Sequence, residues 1–286
     1  MRRSHATVAQ DRQARRKLAH ASVELALGAR SSLAEVFHEN TKLGRLSARA
    51  YTAWITNFSR SRTMRQTMYP LVRYWETGQG SKSYTLMERL ELPQTPPRTD
   101  LERTIAARRS IRAFSGAPLG LDEVARLLFF TYGKTQQDGV LRAVASSGAL
   151  YPLELYVVAL NVTGLDPGVY HYSVETSHLD VIRTGDYLPA IKDVIYWQGV
   201  AIDSASLAIV VTAAFRRNTV KYLDRGYRMI LMEAGEAAQN LSLIATSMNV
   251  GACLVGGFND DQLSELLDID GVSEAPLLPV LLGRPA

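Results

Sequence analysis

Residues 234–258 read AGEAAQNLSLIATSMNVGACLVGGF, and this stretch decides the fold class. Its first part belongs to a proline-free segment, 219–249, in which apolar residues recur every three or four positions. That spacing predicts one long, mostly buried helix over 219–249. The apolar run GACLVGGF at 251–258 then predicts a strand with Cys253 buried in it. Small residues on the helix would let a second helix approach closely, for example across a dimer interface; they are Ala234, Gly235, Ala237 and Ala238.

Further strands and helices are predicted on either side of this stretch. Runs rich in Val, Ile, Leu and Tyr, bounded by turn-forming residues, predict strands at 153–160, 168–174, 178–183, 206–215 and 277–283. One helix is predicted from Asp100, acting as its cap, to about Arg109. Another is predicted over 121–133, ending at Gly133.

The prolines of LPQTPPRTD, residues 92–100, predict a linker that divides the chain. We expect a helical N-terminal extension over 1–97, which docks on a partner or wraps a dimer, and a main domain over 98–286. Residues 1–30 carry seven Lys or Arg against two acids, while the formal charge of the whole chain is +4, so the excess of positive charge lies in this segment. Because the remainder is nearly neutral, a nucleic-acid interface is not indicated.

The cysteine content and the lengths of the apolar runs indicate the compartment. Cys253 is the only cysteine, which excludes an internal disulfide and a Cys-rich metal site and fits a reducing environment. No apolar run reaches the roughly 18–20 residues that span a bilayer. The basic N-terminus is not followed by the apolar block of a signal peptide. We therefore expect a cytoplasmic protein with no membrane partner.

Several common chemistries lack their residues in this sequence. It contains no GxGxxG after an early strand, no GxxxxGK[ST] and no GxSxG. The five histidines show no HExxH or comparable spacing, so no metal site is expected. His38 stands beside Glu39 in FHENTK, where a surface histidine is the simpler interpretation.

Four polar segments, three of them with glycine, remain at predicted junctions: RRSIRAF at 108–114, ASSGALYPLELY at 145–156, GGFND at 256–260 and GRP at 283–285. Arginine presents a planar fork of donors that suits phosphate. Hydroxyl and backbone N–H groups accompany the arginines, and paired glycines allow close backbone approach. Together they favour a flat, anionic cofactor.

The order RRSxRxF, SSGALYPxExY, a long Gly-Glu-containing helix, GGF and a final GR resembles the nitroreductase superfamily. More narrowly, ASSGALYPLELYVV, KYLDRGYR and residues 234–258 look like the SagB-type (ThcOx-like) FMN-dependent dehydrogenases, which aromatise azolines in ribosomal peptides. The resemblance covers about residues 100–286, and FHENTK looks like an N-terminal element of SagB-type proteins. It implies an α+β, nitroreductase-like fold with a mixed central sheet flanked by helices, in a homodimer with two FMN sites at the subunit interface.

The resemblance also implies roles for single residues. The FMN phosphate and the pyrimidine side of its ring would be bound by Arg108, Arg109, Ser110 and Arg112, with Arg284 completing the phosphate clamp. The flavin would be lined by Ser146, Ser147 and Gly148, with Leu150 and Tyr151 close by. Gly256 and Gly257 would approach its reactive edge.

Lys221 and Tyr222 match the position of a Lys-Tyr pair in azoline dehydrogenases. Dehydrogenation needs a base that removes an acidified proton while hydride passes to flavin N5, and the pair is the candidate. Successive helical residues diverge by roughly 100°, so the base is not assigned within the pair. The alternative is that Lys221 is solvated and Tyr222 packs in the core.

Three functions stay open at this point. The first is FMN-dependent dehydrogenation of an azoline or similar amino-acid-derived group in a peptide or other natural product, alongside a biosynthetic partner enzyme. The second is an NAD(P)H-dependent nitro- or quinone reductase of the same fold. The third is a non-catalytic scaffold in which residues 1–97 bind a peptide or a partner enzyme.

Overall fold

The computed structural model describes residues 33–44, 47, 50, 51, 53, 61–67, 74, 82, 86–136, 139–196 and 200–286. The described helices are α1 (Leu33–Thr41), α2 (Arg62–Thr67), α3 (Asp100–Ala107), α4 (Leu121–Tyr132), α5 (Leu188–Val194), α6 (Arg216–Tyr222), α7 (Asp224–Ser247) and α8 (Asp260–Leu267). The described strands are β1 (Leu119–Gly120), β2 (Leu153–Ala159), β3 (Val162–Thr163), β4 (Gly168–Ser173), β5 (His178–Thr184), β6 (Leu207–Ala214), β7 (Gly251–Leu254) and β8 (Glu274–Gly283). The basic arm, residues 1–30, lies outside the described residues.

A six-stranded sheet in the order β5-β4-β2-β6-β8-β7 forms the centre of the fold. Its neighbouring strands all pair antiparallel, with Val157 opposite Ile209 and Ile209 opposite Val280. Parallel pairing occurs between the short strands β1 and β3, in a separate two-stranded sheet. The α+β fold is confirmed. The predicted strand at 251–258 is shorter than expected, because the Gly-Gly pair leaves the sheet after Leu254.

Helices cover both faces of the sheet. On one face, α4 and α7 pack against the strands through fully buried Leu127, Ile230 and Leu241. On the other face, α5 and α8 do so through Ile191 and Leu263. Side chains of a strand alternate between these two cores, as the two-residue period requires. Each fully buried aliphatic side chain contributes about 1.5–3 kcal/mol.

The prediction of one helix over 219–249 is wrong. The chain forms two helices, α6 and α7, that are separated at Leu223, whose φ is +50° and ψ −143°. Gly226 permits the tight elbow, since a Cβ atom there would lie 2.6 Å from Oδ1 of the buried Asn218. Lys221 and Tyr222 therefore stand at the C-terminal end of a short helix and not at the start of a long one.

Helix α3 begins and ends earlier than predicted. Its N-cap is Thr99 and not Asp100, because Thr99 and Glu102 form a reciprocal capping box. The Thr99 Oγ1 atom accepts from the N–H of Glu102 at 3.2 Å, and Glu102 Oε2 accepts from the N–H of Thr99 at 2.8 Å. The helix ends at Ala107, so both Arg108 and Arg109 lie beyond its last residue.

Helix α1 docks on the elbow between α6 and α7. His38 was predicted at the surface, but it is buried, with 8% of its area exposed. Its Nδ1 atom lies 3.1 Å from the hydroxyl oxygen of Tyr227, and its ring centre lies 4.9 Å from that of Phe215. Phe215 and Tyr227, which surround the His38 ring, lie far from it in sequence, so the local sequence pattern could not predict this burial. Among the described residues, no helix has both the length and the apolar character needed to cross a membrane.

Candidate active site

The loop between α4 and β2 has an unusual backbone. Within residues 146–151, SSGALY, three residues have positive φ: Gly148 (+68°), Ala149 (+52°) and Tyr151 (+45°). Glycine adopts this region freely, but alanine and tyrosine do so at a cost of order 1–3 kcal/mol each. We call residues 146–151 the SSGALY loop. Contacts with the rest of the protein must stabilise its shape.

Two hydroxyl groups and one buried carboxylate provide those contacts. Ser146 Oγ accepts the N–H of Tyr151 at 2.9 Å and donates its proton to Glu233 Oε2 at 2.6 Å. The Tyr132 hydroxyl accepts the N–H of Leu153 at 3.1 Å and donates to Glu233 Oε1 at 2.6 Å. The only proton of Ser146 Oγ is therefore used inside the protein, so this hydroxyl anchors the loop.

Sequence reasoning missed Glu233, although the sequence carries a signal for it. Glu233 interrupts the apolar stripe of α7 formed by Ile230, Ala234 and Ala237, and only 3% of it is exposed. A charged residue on a buried stripe needs specific partners. Burial raises the pKa of Glu233, and the hydrogen bonds from Ser146 and Tyr132 oppose that rise.

Lys221 and Tyr222 meet the SSGALY loop at Gly148. A Cβ atom on Gly148 would lie 2.6 Å from the Tyr222 hydroxyl oxygen and 2.9 Å from Lys221 Nζ. The Nζ atom stands 5.1 Å from the centre of the Tyr222 ring. Lys221 is exposed and Tyr222 is half-buried, so Tyr222 is not a core residue as the alternative interpretation required. Despite their divergence on the helix, the two long side chains converge on one point of the loop.

The arginine-rich segment runs along β7 and the C-terminus. The N–H of Ile111 donates to the carbonyl of Ala252 at 3.0 Å, and the buried Phe114 pairs with Pro285. Ser110 is exposed, and Arg109 Nη1 donates to the carbonyls of Ala106 and Arg108, each at 2.8 Å. The fold thus brings the first and last predicted phosphate-binding segments together.

Arg112 and Arg284 each have an identified neighbour. The charge of Arg112 acts on Cys253, where burial raises the pKa of the thiol and the arginine partly opposes it. Arg284 Nη2 donates to both carboxylate oxygens of Glu123, each at 2.8 Å. Sequence reasoning did not anticipate Glu123. A guanidinium has five N–H donors, so this ion pair leaves further donors for a ligand.

Gly256 and Gly257 follow β7 and face open space. No heavy atom lies within 4 Å of the position that a Cβ atom would take on either residue. Gly257 is fixed through its carbonyl, which accepts the N–H of Tyr196 at 3.1 Å. The backbone here can be approached closely by another molecule.

A cavity of about 460 Å³ opens beside the SSGALY loop. Its lining includes Leu150, Tyr151, Arg142, Glu154 and His171. Glu154 accepts from His171 Nε2 at 3.0 Å and pairs with Arg217. Burial alone would raise the pKa of Glu154, but these two partners lower it, and the hydrogen bond to Glu154 raises the pKa of His171. The cavity therefore carries fixed charges of both signs beside the loop.

By direct contact, the candidate residues fall into two groups. The first group contains the arginine-rich segment, β7 with its glycine pair, and Arg284. The second contains the SSGALY loop, Lys221 with Tyr222, and Glu233. Leu150 and Ser147 belong to the second group through the loop. The predicted roles of these residues toward a flavin stay predictions.

Comparison with protein families identifies the origin of this arrangement. Residues 105–284, more than half of the chain, match the model of the nitroreductase family. The chain belongs to the nitroreductase family. Members of this family are oxidoreductases that typically bind a flavin. The resemblance drawn from the motif order is thus confirmed at the level of the family.

Individual nitroreductase-family relatives cover much of the chain. The nitroreductase-family protein MJ1384 of Methanocaldococcus jannaschii is 38% identical over 189 residues, covering 64% of this chain and 90% of MJ1384. The microcin B17-processing protein McbC of Escherichia coli is 27% identical over 169 residues, covering 58% of this chain and 62% of McbC.

One solved structure covers a larger share of the chain. The E. coli microcin synthetase McbBCD complex with truncated pro-MccB17 bound contains a chain that superposes with a TM-score of 0.60 at 21% identity. The superposition covers 86% of this chain and 99% of that chain. At this identity the likeness shows a shared fold.

Proposed function

We propose that this protein is an FMN-dependent oxidoreductase of the SagB type, which dehydrogenates an azoline or similar amino-acid-derived group in a peptide or other natural product. The observation that carries the proposal is the convergence of Lys221 Nζ and the Tyr222 hydroxyl on Gly148. That glycine belongs to the loop expected to line the flavin. A proton-accepting pair beside a flavin loop is what dehydrogenation requires.

The residues present fit a flat, anionic cofactor. The open backbone at Gly256 and Gly257 leaves room for a ring. The exposed Ser110 and the arginines that adjoin it in sequence suit a phosphate. We propose that the FMN phosphate and pyrimidine side are held by Arg108, Arg109, Ser110, Arg112 and Arg284, and that the ring is lined by Ser146, Ser147, Gly148, Leu150, Gly256 and Gly257.

When bound, FMN supplies the hydride acceptor at its N5 atom. The task left to the chain is to orient the substrate, exclude water and remove a proton. Lys221 and Tyr222 lie close enough together for one to take the proton while the other stabilises charge or directs the substrate. The cavity of about 460 Å³ beside the loop can receive the rest of a peptide, because its fixed charges of both signs suit backbone and side-chain dipoles.

The two contact groups suggest how the site is completed. In a homodimer with FMN at the subunit interface, one subunit would provide the arginine-rich group and its partner the SSGALY loop with Lys221 and Tyr222. Exposed apolar residues Leu231 and Met232 on α7, and Leu101 and Ile105 on α3, would be covered by such an interface. Similarity to McbC, named as a microcin B17-processing protein, supports a peptide substrate and a biosynthetic partner enzyme.

A direct test uses the purified protein loaded with FMN and a peptide that contains an azoline. Loss of two hydrogen atoms, seen by mass spectrometry, is the expected result. Lys221→Ala and Tyr222→Phe are each expected to slow this reaction while the FMN content stays unchanged. If both variants stay yellow and retain full turnover, the base assignment is wrong.

A second candidate function is an NAD(P)H-dependent nitro- or quinone reductase, and the likeness to MJ1384 over 90% of that protein favours it. Anaerobic mixing with NADPH separates the two functions. Rapid bleaching of the flavin would favour the reductase, and slow bleaching the dehydrogenase. A colourless protein that binds no added FMN would instead favour a scaffold.

A further inference from the structure

Glu233 is a charged residue in the core that the proposed chemistry does not use. It lies on the buried stripe of α7 and is 3% exposed, while the neighbouring Glu236 on the same helix is exposed. Buried carboxylates are retained when their oxygens have well-defined partners. The partners of Glu233 come from the end of α4 and from the SSGALY loop.

The directions of the hydrogen bonds follow from the donors alone. The backbone N–H groups of Tyr151 and Leu153 can only donate, so Ser146 Oγ and the Tyr132 hydroxyl must accept from them. Each hydroxyl then has one proton left, and each proton points to a different oxygen of Glu233 at 2.6 Å. Glu233 therefore organises two backbone amides through two hydroxyl groups.

This arrangement requires an ionised carboxylate. An ionised carboxylate accepts at both oxygens, whereas a protonated one carries a proton that would oppose one of the two hydroxyls. Burial and the nearby charge of Glu233 raise the pKa of Tyr132, so that hydroxyl keeps the proton it donates. Short bonds to a charged acceptor are among the stronger hydrogen bonds in proteins.

Arg142 supplies the counter-charge. Its guanidinium carbon lies 4.9 Å from the ring centre of Tyr132 and 4.7 Å from that of Tyr151. It therefore contacts the rings at both ends of the network and lowers the cost of the buried charge. The backbone N–H of Arg142 also donates to the Tyr151 hydroxyl at 3.2 Å.

We propose that Glu233 is a positioning residue, which holds the SSGALY loop in its left-handed conformation and so presents Gly148 to Lys221 and Tyr222. The role of the loop at a flavin rests on the proposed function. The dependence of the loop on Glu233 does not, because it follows from contacts within this chain.

The first measurement is hydrogen exchange of the backbone amides of Tyr151 and Leu153 in the full chain. Glu233→Gln offers one acceptor and one donor where two acceptors are needed, so one hydroxyl loses its acceptor. We expect exchange in residues 146–153 to rise about tenfold, as for loss of a hydrogen bond to a charged group. Glu236→Gln, the matched control on the exposed face, should exchange like the unaltered protein. Unchanged exchange in Glu233→Gln would overturn the proposal.

Tyr132→Phe is a second variant, which tests the proposal even if Glu233→Gln does not fold. It keeps the ring in the core and removes one of the two hydroxyls, so exchange at Leu153 should rise more than exchange at Tyr151. Ser146→Ala should produce the opposite order. If each variant raised exchange equally at both amides, the proposal would be refuted, because it assigns the Tyr151 amide to Ser146 and the Leu153 amide to Tyr132.

The functional half of the proposal is tested by FMN affinity, measured from quenching of flavin fluorescence, and by its pH dependence. Charged or titratable groups facing Glu233 are Tyr132, Arg142 and Glu236. As the pH falls through the raised pKa of Glu233, FMN affinity should decrease more steeply in the unaltered protein than in Glu233→Gln, since protonation of the FMN phosphate is common to both. Faster exchange with unchanged FMN affinity would overturn a positioning role at the flavin. Expected exchange and affinity without any azoline turnover would leave the positioning role supported and contradict the proposed function alone.

Discussion

The Tyr222 hydroxyl oxygen lies 2.6 Å from the point where a Cβ atom would stand on Gly148. Residues 74 positions apart in sequence thus meet with no space for a methyl group between them. The contact joins the candidate base pair to the SSGALY loop, and the first prediction tests it.

Gly148→Ala should disturb both the SSGALY loop and the side chains of Lys221 and Tyr222. A left-handed alanine costs about 1–3 kcal/mol, and the new methyl group would displace the ends of Lys221 and Tyr222. We expect denaturant titration to show this loss of stability, and we expect turnover to fall at least roughly tenfold. Gly257→Ala is the stability control, because its Cβ position is open and its φ is not positive. Wild-type turnover in Gly148→Ala would argue against Lys221 or Tyr222 acting as the catalytic base at this position.

Arg284→Gln should weaken the binding of FMN more than that of riboflavin, which lacks the phosphate. Removing one charge-assisted contact to a phosphate is expected to reduce FMN affinity about tenfold. Riboflavin affinity should change little. Glu123→Gln is the control: it removes the carboxylate partner of Arg284 and keeps the guanidinium. Equal losses for both flavins would mean that Arg284 acts by supporting the fold.

His171 should make stability depend on pH in the neutral to alkaline range. The hydrogen bond to Glu154 raises the pKa of His171, so the contribution is complete below about 6.5 and is lost as the pH rises through the raised value. We expect a loss of about 1 kcal/mol in urea titrations over that range, absent in His171→Gln. His178→Gln serves as control, since that histidine is 54% exposed and its ion pair contributes little. An identical pH profile in His171→Gln would contradict the assignment.

His38 should make stability depend on pH in the opposite direction. Burial lowers the pKa of His38, so its contribution is present above about 6.5 and is lost as the pH falls toward the lowered value. Acid should therefore release α1 from the elbow between α6 and α7. Hydrogen exchange of residues 33–41 at decreasing pH measures this release.

His38→Ala should release α1 at every pH and cost about 1–3 kcal/mol. Val36→Ala, at a residue 46% exposed on the same helix, should behave like the unaltered protein. Protection of α1 that does not depend on His38 would show that other residues carry the docking.

The sequence predicted the elements whose signal is local. The runs at 153–160 and 206–215 became β2 and β6, because each is a short apolar run bounded by turn residues. The T-x-x-E pattern at Thr99 and Glu102 was equally readable, and the cap was misplaced by one residue because Asp100 is also a good cap.

Features that depend on distant residues could not be read in this way. Leu223 ends a helix without glycine or proline, and only the packing of Gly226 on Asn218 explains the elbow. The motif order revealed the family, and the roles that it implied for the candidate residues stay predictions. The carboxylate partners were not predicted, since Glu123 and Glu233 meet Arg284 and Ser146 across 161 and 87 positions.

The break at Leu223 also determines which helix carries the candidate catalytic residues. Lys221 and Tyr222 belong to a helix of 7 residues and not to the adjoining one of 24 residues, which is anchored in the core. The backbone hydrogen-bond ladder of the long helix does not continue through Lys221 and Tyr222, so the turn at Leu223, and not the axis of the long helix, determines the direction of both side chains.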